Sequence, residues 1–275
     1  MRALIIVAGA FPVLKGLTSH TPAPLVPCVD RPILQHLVEY LVDQGVATFD
    51  FVLHESPREI EQFLGDGTRW GSRFTFHLVS NPDAPYEPLR LVPCEGQPIL
   101  LVHADRIPIL LGRKVLEENS DGNTLFYTAA GSTPPSGVTQ VCASEWTGSA
   151  ILQASAIRGI PSTVTQVELE ERLWEIGAST IAHVDLLDLR RFETFLDAQH
   201  RILTNSPVTA YLPAREVEPG VWIGRNVMIH PTAQLTPPLF IGEIPASAAA
   251  RKLVPMRLSV MTRSSTSTRT SSIPR

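Results

Sequence analysis

The feature that most constrains the fold is the run Leu4-Ile5-Ile6-Val7-Ala8-Gly9, which is apolar without alternation. A strand with one face in water alternates apolar and polar residues, whereas an unbroken run needs cover on both faces. The segments that follow meet that need. PILQHLVEYLVDQGV (32–46) sets Ile33, Leu37 and Leu41 at helical spacing and stops near Gly45, and TFDFVLH (48–54) reads as a second strand. REIEQFLGDG (58–67) is a short helix, RFTFHLV (73–79) a third strand and PILLVHAD (98–105) a fourth. Strands and helices alternating in this way predict βαβ units, hence an α/β, Rossmann-like, mostly parallel sheet with helices on both faces. Ligands of such sheets bind beyond the carboxyl ends of the strands. That places the loop 8–18 and the segment His103 to Asp105 on one rim.

Residues 111–215 give weaker signals. TQVELEERLWEI (165–176) and DLRRFETFLDAQHRILT (188–204) read as helices, with TIAHVDLL (180–187) as a strand between them. Beyond Pro219 the period changes, because Ile223, Ile229, Leu235 and Ile241 recur every six residues with Gly224 and Gly242 following two of them. That spacing predicts a short, truncated left-handed β-helix of hexapeptide repeats over 219–243, after an α/β domain over 1–215. From 244 the period vanishes. Residues 262–272 are Ser or Thr except for Arg263 and Arg269, so the tail 244–275 is expected to be disordered, a native end or a frame-altered one.

Charge and cysteine content narrow the function classes. The net charge is −4, yet residues 246–275 hold six basic residues and no acidic one, which leaves 17 basic against 27 acidic residues, or −10, in the first 245. A body that acidic is a poor partner for nucleic acid. Cys28, Cys94 and Cys142 form no CxxC pair, which argues against a disulfide framework or a thiolate zinc site, and apolar runs are too short for a membrane helix. A soluble cytoplasmic protein is expected.

The first 110 residues read together resemble the sugar-1-phosphate nucleotidyltransferases. IIVAGAFPVLKGLT and SHTPAPLVPCVDRPIL lie without a gap along that family's LAAGxGTRLxPLT and xxPKPLLPVxxKPLL, and GDGTRWG (65–71) and His103-Ala104-Asp105 also sit in frame. DLRRFETFLDAQ (188–199) is similar to a weakened DIGTPEDYLEAN. The resemblance implies a protein of nucleotide-sugar synthesis, in which a sugar 1-phosphate attacks a nucleoside triphosphate and pyrophosphate leaves. It implies that Gly9 and Ala10 hold the nucleotide and that Asp105 and Asp188 hold Mg²⁺, and Lys15, farther along the same loop, is a candidate nucleotide contact in place of the family's loop cation. It also implies a nucleotide or nucleotide sugar as ligand, and a second copy or a partner enzyme subunit as companion.

The departures from the family bear on activity. Phe11, Pro12, Val13 and Ala23 stand where it has the loop's second glycine, a Thr or Ser, an Arg and the Lys of PKP. Phe fills space a polyphosphate needs, proline lacks an amide donor, and both cations are gone. Residue-level alternatives stay open: Asp105 can begin a turn, Asp188 can cap a helix from 189, and His103 reads as a packing residue at a strand end. No catalytic residue is assigned. Two functions remain: an active, Mg²⁺-dependent transferase, or a weakly active or non-catalytic homologue that binds nucleotide or nucleotide sugar.

Overall fold

In a computed structural model of the protein, the unbroken apolar run becomes strand β1 (Arg2–Ile6), and it is covered on both faces. Ala3, Ile5 and Val7 belong to one buried cluster and Leu4, Ile6 and Ala8 to another, so the pleat divides the run between two cores. The structure describes residues 1–14, 21–93, 97–109, 113–119, 121–128, 145–204, 212, 214–229 and 233–243. They divide into two units, Met1–Ala210 and Tyr211–Arg275.

In the first unit, β1 leads to a short antiparallel pair, β2 (Pro27–Cys28) and β3 (Arg31–Pro32), then α1 (Ile33–Asp43), β4 (Thr48–Leu53), α2 (Pro57–Leu64) and β5 (Arg73–Leu78). Next come β6 (Ile99–His103), β7 (Arg106–Pro108), α3 (Arg113–Glu118), β8 (Thr124–Thr128) and β9 (Trp146–Leu152). The unit ends with α4 (Ala154–Gly159), α5 (Gln166–Glu175), β10 (Ser179–Val184), β11 (Leu186–Asp188) and α6 (Phe192–Thr204). Among the described residues one sheet has the order β10-β8-β9-β6-β1-β4-β5. β6, β1, β4 and β5 run parallel, as do β8 and β10, while β9 is antiparallel to both neighbours. This is the mixed α/β, mostly parallel architecture expected from the apolar runs.

Local chemistry sets the helix ends. α1 buries Ile33, Leu34, Leu37, Val38 and Leu41, and stops ahead of Gly45, whose φ of +89° is left-handed. α5 opens on a reciprocal cap in which the Thr165 hydroxyl accepts from the Glu168 amide and the Glu168 carboxylate accepts from the Thr165 amide. Thr165→Ala is therefore expected to lower stability by about 1 kcal/mol, read from urea unfolding. An unchanged midpoint would show that the cap contributes nothing.

Two sequence expectations need correction here. The helix expected from 188 begins at Phe192, because Leu186, Leu187 and Asp188 pair with β7 and the Asp188 carboxylate accepts from the Arg190 amide at 3.0 Å. Asp188 therefore closes a turn and does not cap the helix. TIAHVDLL is also not one strand: it breaks at Asp185 into β10 and β11, which belong to different sheets.

In the second unit, β12 (Ala214–Glu218) pairs antiparallel with β13 (Val221–Gly224), and β13 pairs parallel with β14 (Leu239–Ile241). Val221 faces Leu239 and Ile223 faces Ile241, partners eighteen residues, or three hexads, apart. At Gly224 a Cβ would come within 2.5 Å of the Glu243 amide nitrogen, so glycine is needed for the two chains to approach. Ile229 and Leu235 lie half-buried in irregular backbone, and the tail 244–275 lies outside the described residues.

Cys28 is a free, buried cysteine, and burial followed by the Asp30 charge pushes its thiol up to about 12. No helix among the described residues is long and apolar enough to cross a membrane.

Candidate functional site

The loop after β1 emerges at the carboxyl end of the sheet and turns immediately. The amides of Val7 and Ala8 both donate to the Val52 carbonyl, at 3.0 and 2.9 Å, which carries the chain past β4. Gly9 then takes φ +74°, with the Pro82 carbonyl 3.0 Å from where a Cβ would stand. Ala10 donates its amide to the Val7 carbonyl at 3.1 Å, and so spends within the loop the donor that the resemblance assigns to a nucleotide.

Phe11 governs what comes next. It holds a left-handed backbone, φ +59°, where the family has a glycine, yet its ring is fully buried in the core cluster that also takes Leu14. Left-handed backbone costs an L-residue roughly 1–2 kcal/mol, and burying an aromatic ring stabilises by about 1.5–3 kcal/mol. Burial wins, and the loop is pinned inward. The cleft over this loop is lined by Val7, Gly9, Ala10, Ala23, His54 and Ser56 among others and offers about 40 Å³. That is room for a few waters, far below the several hundred Å³ of ordinary ligand pockets. Ala23 is buried, no Arg or Lys stands among the described residues of the lining, and Lys15 lies outside the described residues.

The rim at the end of β6 has a different character. His103, Asp105, Arg106 and Tyr86 are all buried. Arg106 Nη2 donates to His103 Nδ1 at 3.2 Å and to Gln166 Oε1 at 2.8 Å, and Arg106 Nε donates to Asp105 Oδ1 at 3.3 Å. A guanidinium can only donate, so Nδ1 is bare and the ring proton sits on Nε2, 2.8 Å from the Tyr86 hydroxyl oxygen that accepts it. Burial, reinforced by the Arg106 and Arg190 charges, holds the His103 imidazole well below its usual pKa, and the ring is neutral. Gly148 on β9 faces this cluster with φ +75°, and a Cβ there would lie 3.0 Å from Arg106 Cζ and Nη1 and 3.1 Å from His103 Cδ2.

The β7–β11 ladder draws Asp188 to the same place. It sets Asp188 opposite Arg106, and the Leu189 amide donates to the Asp105 carbonyl at 2.9 Å. Arg190 grips Asp188 with two parallel bonds, Nε to Oδ1 at 2.9 Å and Nη2 to Oδ2 at 3.0 Å, and reaches Glu145 with Nη1 at 2.7 Å. Burial would raise the Asp188 carboxyl, but the Arg190 hydrogen bonds overcome it and hold the group below the usual carboxylate range.

Of the residues singled out from the sequence, Gly9 and Ala10 thus line one cleft, while Asp105 sits in the turn between β6 and β7 and Asp188 ends β11, the strand paired with β7. No group of three potential metal-ligating side chains occurs among the described residues. Sequence reasoning missed Tyr86, Arg106, Gly148, Gln166 and Arg190. A signal was present for two of them, since each rim aspartate has an arginine one or two residues after it.

No family model matches the chain. It is 29% identical over 119 residues to the low-salt glycan biosynthesis nucleotidyltransferase Agl11 of Haloferax volcanii, a match over 43% of this chain and 32% of that one. It is 31% identical over 111 residues to the mannose-1-phosphate guanylyltransferase catalytic subunit beta of Drosophila melanogaster, over 38% of this chain and 30% of that one. The matches therefore span about a third of these relatives. Among solved structures, HddC of Yersinia pseudotuberculosis complexed with GMP-PN superposes with a TM-score of 0.56 at 17% identity, over 73% of this chain and 98% of HddC. The UTP-bound UGPase of Acinetobacter baumannii gives 0.55 at 13% identity, over 75% and 94%. These two likenesses concern the fold.

Proposed function

With sugar-1-phosphate nucleotidyltransferases as its relatives, we propose that this chain binds a nucleotide or nucleotide sugar in the setting of nucleotide-sugar synthesis and has little or no transferase activity of its own. The observation that carries this reading is Phe11, buried in the core where a phosphate-binding loop would need space. The transfer of a nucleotidyl group to a sugar 1-phosphate builds negative charge on the departing pyrophosphate, and cations or aligned amides must meet it. Here the loop offers Pro12, Val13 and Ala23 at the positions where the resemblance expects donors, and Ala10 has spent its amide. Loss of one such donor commonly costs 10²–10³ in rate, and several are missing together. Entry of a nucleotide requires the loop to open against the burial of Phe11, so binding is weak and a diphosphate sugar gains little over the nucleoside monophosphate.

The β7–β11 ladder, which brings the backbone around Asp188 and Leu189 to that of Asp105 and Arg106, is what favours the alternative, an active transferase. Assay of pyrophosphate release from common triphosphate and sugar 1-phosphate pairs separates the two. No release above background is the expected result, with calorimetry detecting weak binding of nucleotide or nucleotide sugar. Release that depends on the sugar phosphate and is abolished by Asp105→Ala would establish the enzyme instead.

Two further readings accompany this one. The eighteen-residue stagger of β13 and β14 supports one coil of a left-handed hexapeptide β-helix in 219–243, following an α/β domain over 1–215. One relative is named as a catalytic subunit, which supports an assembly with another subunit, and in this reading the chain acts as the companion of an active enzyme in the cytoplasm.

A further inference from the structure

The two aspartates that the resemblance assigns to a divalent ion each come with a guanidinium of their own. Asp188 Oδ1 accepts from the Arg190 amide and Nε, and Oδ2 accepts from Nη2. This is the bidentate fork that planar guanidinium matches best. Asp105 Oδ1 accepts from Nε of Arg106, which is only 4% exposed. Both arginines are anchored beyond their aspartates, Arg106 by His103 and Gln166, and Arg190 by Glu145. Gly148 keeps open the space that Arg106 fills. Each carboxylate thus has a guanidinium beside it, two positive charges in all, the number that one divalent ion would supply.

Mg²⁺ takes oxygen ligands at about 2.0–2.1 Å. To reach Asp188 it must displace a two-point guanidinium contact, and it must do so close to a second, buried guanidinium whose charge repels it. The residues as they are held do not fit the ion. We infer that Arg106 and Arg190 take the place of the divalent cation at this rim, so that the site takes up neither Mg²⁺ nor Mn²⁺, and that Arg190, the more exposed of the two, keeps Asp188 closed. This holds whether or not the nearby cleft binds a nucleotide.

Titration of the full-length protein with Mn²⁺, followed by the loss of the free-ion paramagnetic resonance signal, tests it directly. The wild-type chain is expected to bind no stoichiometric Mn²⁺. Arg190→Gln and Arg190→Met should each tighten Mn²⁺ binding about tenfold or more, and adding Asp188→Asn should erase the gain. Circular dichroism identifies which variants are folded, and either one suffices. One Mn²⁺ per wild-type chain, lost in Asp188→Asn, would overturn the inference, as would a folded Arg190 variant that gains nothing.

Discussion

Gly148→Ala is expected to lower the unfolding free energy by roughly 2–4 kcal/mol, although position 148 is a small residue in the middle of a buried strand, where alanine is ordinarily harmless. Two costs combine. The backbone at φ +75° is left-handed and penalises any L side chain by about 1–2 kcal/mol. The new methyl would also stand 3.0 Å from the Arg106 guanidinium and 3.1 Å from the His103 ring, tighter than ordinary contact. Arg106 cannot move freely, because Asp105, His103 and Gln166 hold it and it is almost fully buried. A shifted guanidinium leaves Asp105 as a buried charge with a weaker partner, which is costly. Urea unfolding of Gly148→Ala, Arg106→Ala and the double variant forms a cycle that isolates the contact. The two changes should be strongly non-additive, with Gly148→Ala costing much less once Arg106 is gone. Full additivity would mean that the backbone alone explains the loss.

How much of this was legible in the sequence depends on burial pattern. β1 and β6 could be read because a strand buried on both faces is a nearly continuous apolar run, and helix α1 could be read because its apolar residues keep helical spacing. β9 could not, although every residue of it is buried. Its sequence, Trp-Thr-Gly-Ser-Ala-Ile-Leu, mixes small and polar residues that find partners only through long-range contacts: the Thr147 hydroxyl donates to the Phe126 carbonyl, and Gly148 makes way for Arg106. Nothing within a local window announces that. The same holds for the break at Asp185, since the ladder between β11 and β7 joins residues some eighty positions apart.

At the site, the aspartates were legible and their neutralisation was not. A motif aligned on Asp105 and Asp188 assigns them to a metal, and only the folded geometry shows Arg106 and Arg190 spending themselves on those carboxylates. The Phe11 loop lay between these cases. The sequence marks the loss of glycine, but the retention of its left-handed backbone, with the ring turned into the core, follows from an energy balance between strain and burial.

Acidification below neutrality should then destabilise the protein well before any carboxylate titrates. His103 and His36 are both buried, and in both burial is the main cause of a lowered pKa. Arg106 and Arg190 add to it at His103, while at His36 the Cys28 carbonyl and Asp30 offset part of it. The His103 ring stays neutral in the folded chain and His36 takes up its proton at a lower pH than when unfolded, whereas the unfolded chain protonates both near pH 6.5. The unfolded state therefore binds more protons below that point, so the stability contribution is fully present above about pH 6.5 and is lost as pH falls through it. One such histidine gives a slope of up to about 1.4 kcal/mol per pH unit, and two give up to roughly 2.7 kcal/mol per unit. Asp50 and Asp188, whose pKa values are lowered by His77 with Arg2 and by Arg190 against the opposing effect of burial, act in the same direction but only below about pH 4. The window between pH 6.5 and 4.5 belongs to the histidines. Urea midpoints measured across it should fall steeply for the wild type, and His103→Gln, whatever its absolute stability, should remove about half of the slope or more. A wild-type midpoint that stays flat from pH 7 to 5, or a His103→Gln slope equal to the wild-type one, would show that His103 is not the neutral, sealed imidazole that its bonds to Tyr86 and Arg106 require.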